Sequence, residues 1–161
     1  MDQIDALVGQ WGAQDLDLDL ETMAGVARLL AVARAIEARI AARAARAGID
    51  VAEGDVLFTL RRSGAPFRLS PSAISASLLV SSGTLTNRLD RLEHKGLIRR
   101  VPHPTDRRST EVELTATAKR LVDRAVRTHV ADEQAMLAVL TAREQQQLDR
   151  LLRKLLGHLS P

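Results

Sequence analysis

Three observations predict a mainly α-helical fold with a small antiparallel β-element. Aromatic residues make up only 2% of a chain that is 45% apolar. The core therefore has to be built from Leu, Val, Ile and Ala, which favours packed helices over a β-sandwich. Apolar residues recur at helical spacing, most clearly at Leu148, Leu151, Leu152, Leu155, Leu156 and Leu159, the stripe of an amphipathic helix. Finally, LIRRV and TEVELT flank PHPTDRRS, the pattern of two antiparallel strands joined by a long tip. At 161 residues the chain fits one ordinary domain, or a small domain with dimerising arms.

The elements follow in order. Ile4, Leu7, Val8 and Trp11 keep i, i+3, i+4, i+7 spacing and predict a short amphipathic helix before the acidic stretch from Asp15 to Glu21. A second helix, about Glu21 to Arg46, gathers Val26, Leu29, Leu30, Ala33, Ile36 and Ile40 on one stripe and ends before Gly48. Asp50 and Glu53 form a D-x-x-E capping box for a helix through Val56, Leu57 and Leu60 that stops near Ser63 and Gly64. Ser70 caps a helix to about Leu78, with Pro71 at its first position, where the missing N–H costs nothing. After Leu79 and Val80, either Ser81 or Ser82 caps the next helix, which runs through Leu85, Leu89 and Leu92 and is stopped by Gly96.

Two short helices followed by a ribbon make a winged helix-turn-helix. Thr115 then caps a long helix to about Val139, and Thr141 with Glu144 opens the last one. The expected organisation is N-terminal dimerisation helices over 1–48, a DNA-binding winged unit over 49–116 and C-terminal dimerisation helices over 117–161. The long end helices carry more apolar surface than a small winged unit can cover. This predicts a homodimer, the alternative being that both ends fold back on their own chain.

Charge points to the partner. The net charge of +3 conceals six acids and no Lys or Arg within residues 1–21, against 14 basic and six acidic residues within 61–127. Such a local field attracts polyanions, although charge alone is equally the mark of a solvated helical surface. On the second short helix Ser82, Thr84, Thr86, Asn87 and Arg88 form a ridge away from the leucines. Asn suits adenine, Arg suits guanine, and Ser or Thr suits bases or phosphates, so this helix fits a major groove of double-stranded DNA. Gly83 lets the helix start approach a phosphate. Pro71, Ser81 and Arg91 join the DNA-facing set. At the ribbon tip Arg107 and Arg108 are placed to project, one or both, into a minor groove. Asp106 holds that loop either by an ion pair with Arg108 or by an Asx-turn.

Other classes are disfavoured. No run approaches the ~18 to 20 uncharged apolar residues of a membrane span, and MDQIDALVGQW lacks the basic start of a signal peptide, so a cytoplasmic protein is expected. The absence of Cys excludes disulfides, thiolate zinc sites and a cysteine nucleophile. His94, His103, His129 and His158 lie in four segments without an H-x-x-x-H pair, and are more simply exposed side chains than metal ligands. There is no Gly-rich phosphate loop and no G-x-S-x-G elbow. No enzyme activity, metal or cofactor is expected. Two readings remain: a ligand-responsive DNA-binding repressor, and a helical protein–protein interaction scaffold that does not bind DNA. Only the first predicts steep salt dependence.

The run SSGTLTNRLDRLEHKGLIRR followed by DRRSTEVELT resembles the MarR family of winged-helix transcriptional regulators. The matching pattern is S-x-x-T-x-T, then L-x-x-L-E-x-x-G-L-I-x-R, then D-x-R ending in L-T. The resemblance implies a homodimer on a pseudopalindromic operator, usually repressing, and in many members released by a small aromatic or phenolic anion bound between the dimer and DNA-binding parts. Its groove residues fall on Ser82, Thr84, Thr86, Asn87 and Arg88, and its wing pair on Asp106 and Arg108. Ala118 departs from the glycine common at that place, which bears on the start of the following helix. The N-terminal helix with Trp11, together with EGDVLFTLRRSG and TNRLDRLE, is also similar, more loosely, to a urate-responsive branch. That similarity implies an effector cleft with Trp11 as a stacking wall and Asp55 and Arg88 as polar parts. The alternative makes Trp11 a staple for an extra helix.

Overall fold

The computed structural model describes residues 2–14, 16–103, 105–106 and 109–160. The order is α1 (Gln3–Gly12), α2 (Leu20–Arg46), α3 (Val51–Arg62), β1 (Arg68–Leu69), α4 (Pro71–Leu78), α5 (Ser82–His94), β2 (Ile98–Pro102), β3 (Thr110–Leu114), α6 (Ala116–Leu137) and α7 (Ala142–Leu159). The chain divides into two compact units, Met1–Val56 and Leu57–Pro161. The mainly helical class and the antiparallel wing are as the sequence predicts.

In the first unit, Asp2 and Asp5 form a reciprocal capping box that satisfies two of the N–H groups a helix start leaves open. The same two carboxylates bind the Arg28 guanidinium, which ties α1 to α2. Asp19 caps α2 by accepting from the Thr22 N–H at 2.9 Å, and Gly48 leaves the helix with φ of +74°, a conformation glycine adopts without steric cost. The predicted Asp50–Glu53 box is present, with bonds of 3.0 and 2.7 Å, and Glu53 is buried. Neither α1 nor α2 buries a residue.

The second unit carries most of the buried apolar residues. Leu57 and Leu60 of α3, Ile74 of α4, Leu85, Leu89 and Leu92 of α5, Ile98, Val112 and Leu114 of the sheet, and Ala118 and Val122 of α6 are all buried. The sheet is three-stranded and antiparallel with order β1-β3-β2. β1 was not foreseen, because two residues carry no period to read. It follows the cis Ala65–Pro66 peptide and pairs Arg68 with Glu113 and Leu69 with Val112. Thr115 caps α6 through the Ala118 N–H at 3.2 Å. Ala118 is itself buried, so alanine fits the place where glycine is common. The Thr141–Glu144 box opens α7 as predicted, but α7 buries nothing.

Candidate nucleic-acid interface

The site is built from two consecutive helix starts and a ribbon. Ser70 Oγ accepts the Ala73 N–H at 3.2 Å and meets Ser72 Oγ at 2.9 Å, and Pro71 occupies the first turn of α4. The turn into α5 is made by Leu79, left-handed at φ 54° and 93% exposed. That is a costly conformation for a non-glycine residue, about 1 kcal/mol or more. It is supported by the N–H groups of Leu79 and Val80, both bonded to the Ser75 carbonyl. The sequence left the next cap open between two serines. Ser81 is the cap, accepting the Thr84 N–H at 3.3 Å, and Ser82 is the first helical residue.

On α5 the buried leucines Leu85, Leu89 and Leu92 leave Ser82, Gly83, Thr84, Thr86, Asn87 and Arg91 exposed. Arg88 is half-buried, because at 100° per residue it sits beside the leucine stripe, while Asn87 lies near the centre of the outer face. Two hydroxyls are already engaged. Thr86 Oγ1 donates to the Ser82 carbonyl at 2.9 Å, and Thr84 Oγ1 shares a hydrogen with Ser81 Oγ at 2.9 Å. Thr86 therefore offers a groove an acceptor lone pair and a methyl group, which suit an amino hydrogen and a thymine methyl. A Cβ at Gly83 would meet nothing within 4 Å, so the glycine is not required by packing within this chain.

In the wing, β2 and β3 pair from Ile98↔Leu114 to Pro102↔Thr110. Beyond them the His103 N–H donates to the Ser109 carbonyl at 3.0 Å, and Ser109 hydrogen-bonds Asp106 through both backbone and side chain. The Asp106 N–H in turn donates to His103 Nδ1 at 3.1 Å. Asp106 thus joins the two sides of the loop through Ser109 and His103. Arg107 and Arg108 lie outside the described residues, and with them the expected Asp106–Arg108 pair.

Charged groups the sequence reading left unassigned organise the unit. Glu113, buried on β3, is flanked in register by Arg99 at 2.7 Å and Arg68 at 3.3 Å. The Arg99 bond, followed by the Arg68 bond, holds its carboxyl below the usual range against the opposing effect of burial. Asp123 on α6 is likewise lowered, first by Lys119 and then by Arg61 of α3. Arg61 also stacks over Phe67 at 4.9 Å. Arg62 donates to Thr59 and Ser77, joining α3 to α4. On the α5 side, Arg100 of β2 binds Asp90 and Glu93. The alternation in TEVELT marks Glu111 and Glu113 as sharing a face, but only the strand register names their partners.

The three residues of the expected effector cleft are placed as follows. Trp11 is 47% exposed on α1, Asp55 is exposed on α3 and Arg88 is half-buried on α5. A cavity of about 550 Å³ in the second unit is lined by Phe58, Arg61, Arg62, Asp123, Val126 and Arg127, and Arg88 is not among them. Among the described residues no cluster of His and carboxylates is set to hold a metal, and no helix is long and apolar enough to cross a membrane.

The MarR family model matches residues 49–110, the span from just after α2 to the first residue of β3. Over 157 residues the chain is 37% identical to the HTH-type transcriptional regulator PecS of Dickeya dadantii, covering 98% of this chain and 95% of that relative. The chain belongs to the MarR family. A mutant MarR from E. coli, solved with operator DNA, superposes at a TM-score of 0.68 and 27% identity over 87% of this chain and 99% of that one. AbsC of Streptomyces coelicolor, also of the MarR family, shares the fold at a TM-score of 0.73 and 22% identity, over 91% and 98% of the two chains. The protein is accordingly a DNA-binding transcriptional regulator rather than an enzyme, which displaces the scaffold reading.

Proposed function

We propose that this MarR-family regulator is a cytoplasmic homodimeric repressor of a pseudopalindromic operator. In this reading the winged unit, 49–116, reads DNA, and residues 1–48 and 117–161 dimerise. The carrying observation is the outer face of α5, where Ser82, Thr84, Thr86 and Asn87 stand exposed above a buried leucine stripe, the surface that a major groove accepts. Pro71, Ser81, Gly83, Arg88 and Arg91 border that face. Asp106, Arg107 and Arg108 serve the adjacent minor groove. Dimerisation is supported by the exposed stripes of α2 (Val26, Leu29, Leu30) and α7 (Leu155, Leu156, Leu159), since contiguous apolar surface calls for a partner. A twofold dimer presents two such helices about one helical turn apart. Footprinting on inverted repeats of varied half-site spacing tests this, and tight binding to isolated half-sites overturns it.

The effector is a small planar aromatic or phenolic anion, received near Trp11, Asp55 and Arg88 and lowering operator affinity. Supporting this are the exposure of the chain's single Trp and the position of Arg88 on the reading helix itself. Release requires the anion to prefer the DNA-free conformation, because a ligand that binds both states equally shifts nothing. Titration with urate and salicylate is expected to quench Trp fluorescence and release labelled operator together. Quenching without release removes the switch, and neither effect leaves Trp11 as a helix staple.

A further inference from the structure

The Glu and the last Arg of the family-like run L-x-x-L-E-x-x-G-L-I-x-R are Glu93 and Arg100, and they meet. Glu93 lies in the last turn of α5, Asp90 one turn earlier, and Arg100 in the middle of β2. Arg100 Nη1 donates to Glu93 Oε2 at 2.7 Å, Nη2 donates to Asp90 Oδ1 at 2.6 Å, and the Arg100 backbone N–H donates to Glu93 Oε1 at 3.1 Å. One guanidinium thus spans two successive turns of the reading helix while its own backbone is held by one of the same carboxylates. A planar fork can do this, and a lysine ammonium cannot reproduce it.

We propose that Arg100 is a positioning residue that sets the offset between the reading helix and the wing, so that both engage adjacent grooves of one operator half-site. The inference rests on the helix-and-wing reading of DNA contact. Near the turn, backbone bonds already hold the start of β2: the Leu97 N–H donates to Leu92 of α5, and the Thr115 N–H, just past β3, donates to Leu97. These bonds pivot at Gly96, whose φ of +66° marks the bend. They fix the start of β2 and not the direction of its outer half. Arg100 sits further out, paired with Val112 in the ladder and just before the Val101↔Glu111 and Pro102↔Thr110 pairs that lead to the tip. The opposite face of the ribbon is braced separately by the Arg99–Glu113–Arg68 row. Arg100 therefore ties a stiffened ribbon to the helix beyond the Gly96 turn, on the way to the tip. The ion pairs are open to solvent, with side-chain accessibilities of 36% for Arg100, 55% for Asp90 and 37% for Glu93. Ion pairs this exposed add little to folding stability, so the role left for them is orientation.

The test compares Arg100→Gln, Arg100→Lys and the isosteric Glu93→Gln in the full-length protein, each checked for native thermal unfolding. Two footprints are taken on the mapped operator at saturating protein: guanine N7 protection in the major groove and hydroxyl-radical protection of the flanking minor-groove sugars. Arg100→Gln is expected to keep the first, lose the second and bind on the order of tenfold more weakly, the scale of one lost contact. Glu93→Gln should move in the same direction by less, and Arg100→Lys should lie between Arg100→Gln and the native protein. Intact flank protection in both glutamine variants overturns the proposal. So does a parallel fall in both footprints, which marks simple destabilisation. A native protein that protects no flank overturns the helix-and-wing reading itself, a distinct result.

Discussion

α5 and α7 are both leucine-rich amphipathic helices opened by a hydroxyl cap, yet they end in opposite states. The α5 leucines are buried, with Leu92 fully enclosed, whereas on α7 Leu156 is 64% and Leu159 75% exposed. α2 resembles α7, with Leu30 at 53% and Val32 at 59%. Periodicity thus reports that a stripe exists and says nothing of what covers it. Buried residues are shared among α3, α4, α5, the sheet and the first half of α6, whereas α2 and α7 carry apolar faces that stay exposed. In the proposed homodimer these open faces are the arms that the partner copy would cover.

The strongest way to break that contrast is to remove residues 141–161. Dimers, followed by light scattering, are expected to vanish, and operator affinity to fall by about a hundredfold or more as two linked half-site contacts become one. A truncated chain that stays a folded dimer would show that α7 is not an arm. A gentler version pairs two substitutions. Leu92→Ala should cost about 3 kcal/mol of unfolding free energy through the cavity it leaves. Leu156→Ala should leave the unfolding of the winged unit nearly unchanged and shift the dimer dissociation constant instead.

Within the reading head, Asn87→Ala is expected to cost ~1 to 3 kcal/mol of operator binding and to relax base preference at one position per half-site. Arg108→Ala should weaken binding to all sequences, with a shallower salt slope. Equal losses on specific and random DNA for Asn87→Ala would remove that residue from the reading face. The smallest effect concerns acid. Glu113 has a folded-state pKa below its ordinary value of 4.5, so its stabilisation is present above that value and is lost as pH falls through the lower folded one. Denaturant melts of Glu113→Gln should accordingly lose stability less steeply below about pH 4 than the native protein does.

Much of this molecule could be read from the chain because the signals are local. A cap needs a hydroxyl or carboxylate three residues before its N–H, as at Ser70, Ser81, Thr115 and Thr141. A stop needs a residue tolerant of positive φ, as at Gly48 and Gly96. A stripe needs only the 3.6-residue period. These placed nearly every helix within a residue or two, picked out the outer face of α5, and carried the family resemblance. Tertiary structure alone decided what long separation hides. The two-residue β1 exists because β3 offers it an edge, and Arg68 finds Glu113 across 45 positions of sequence. Arg100 meets Asp90 and Glu93 only because the Gly96 turn folds β2 back along α5. Local patterns act through the backbone of a single segment and so are written in it. Charge partners depend on register and crossing geometry, which the whole packed chain sets.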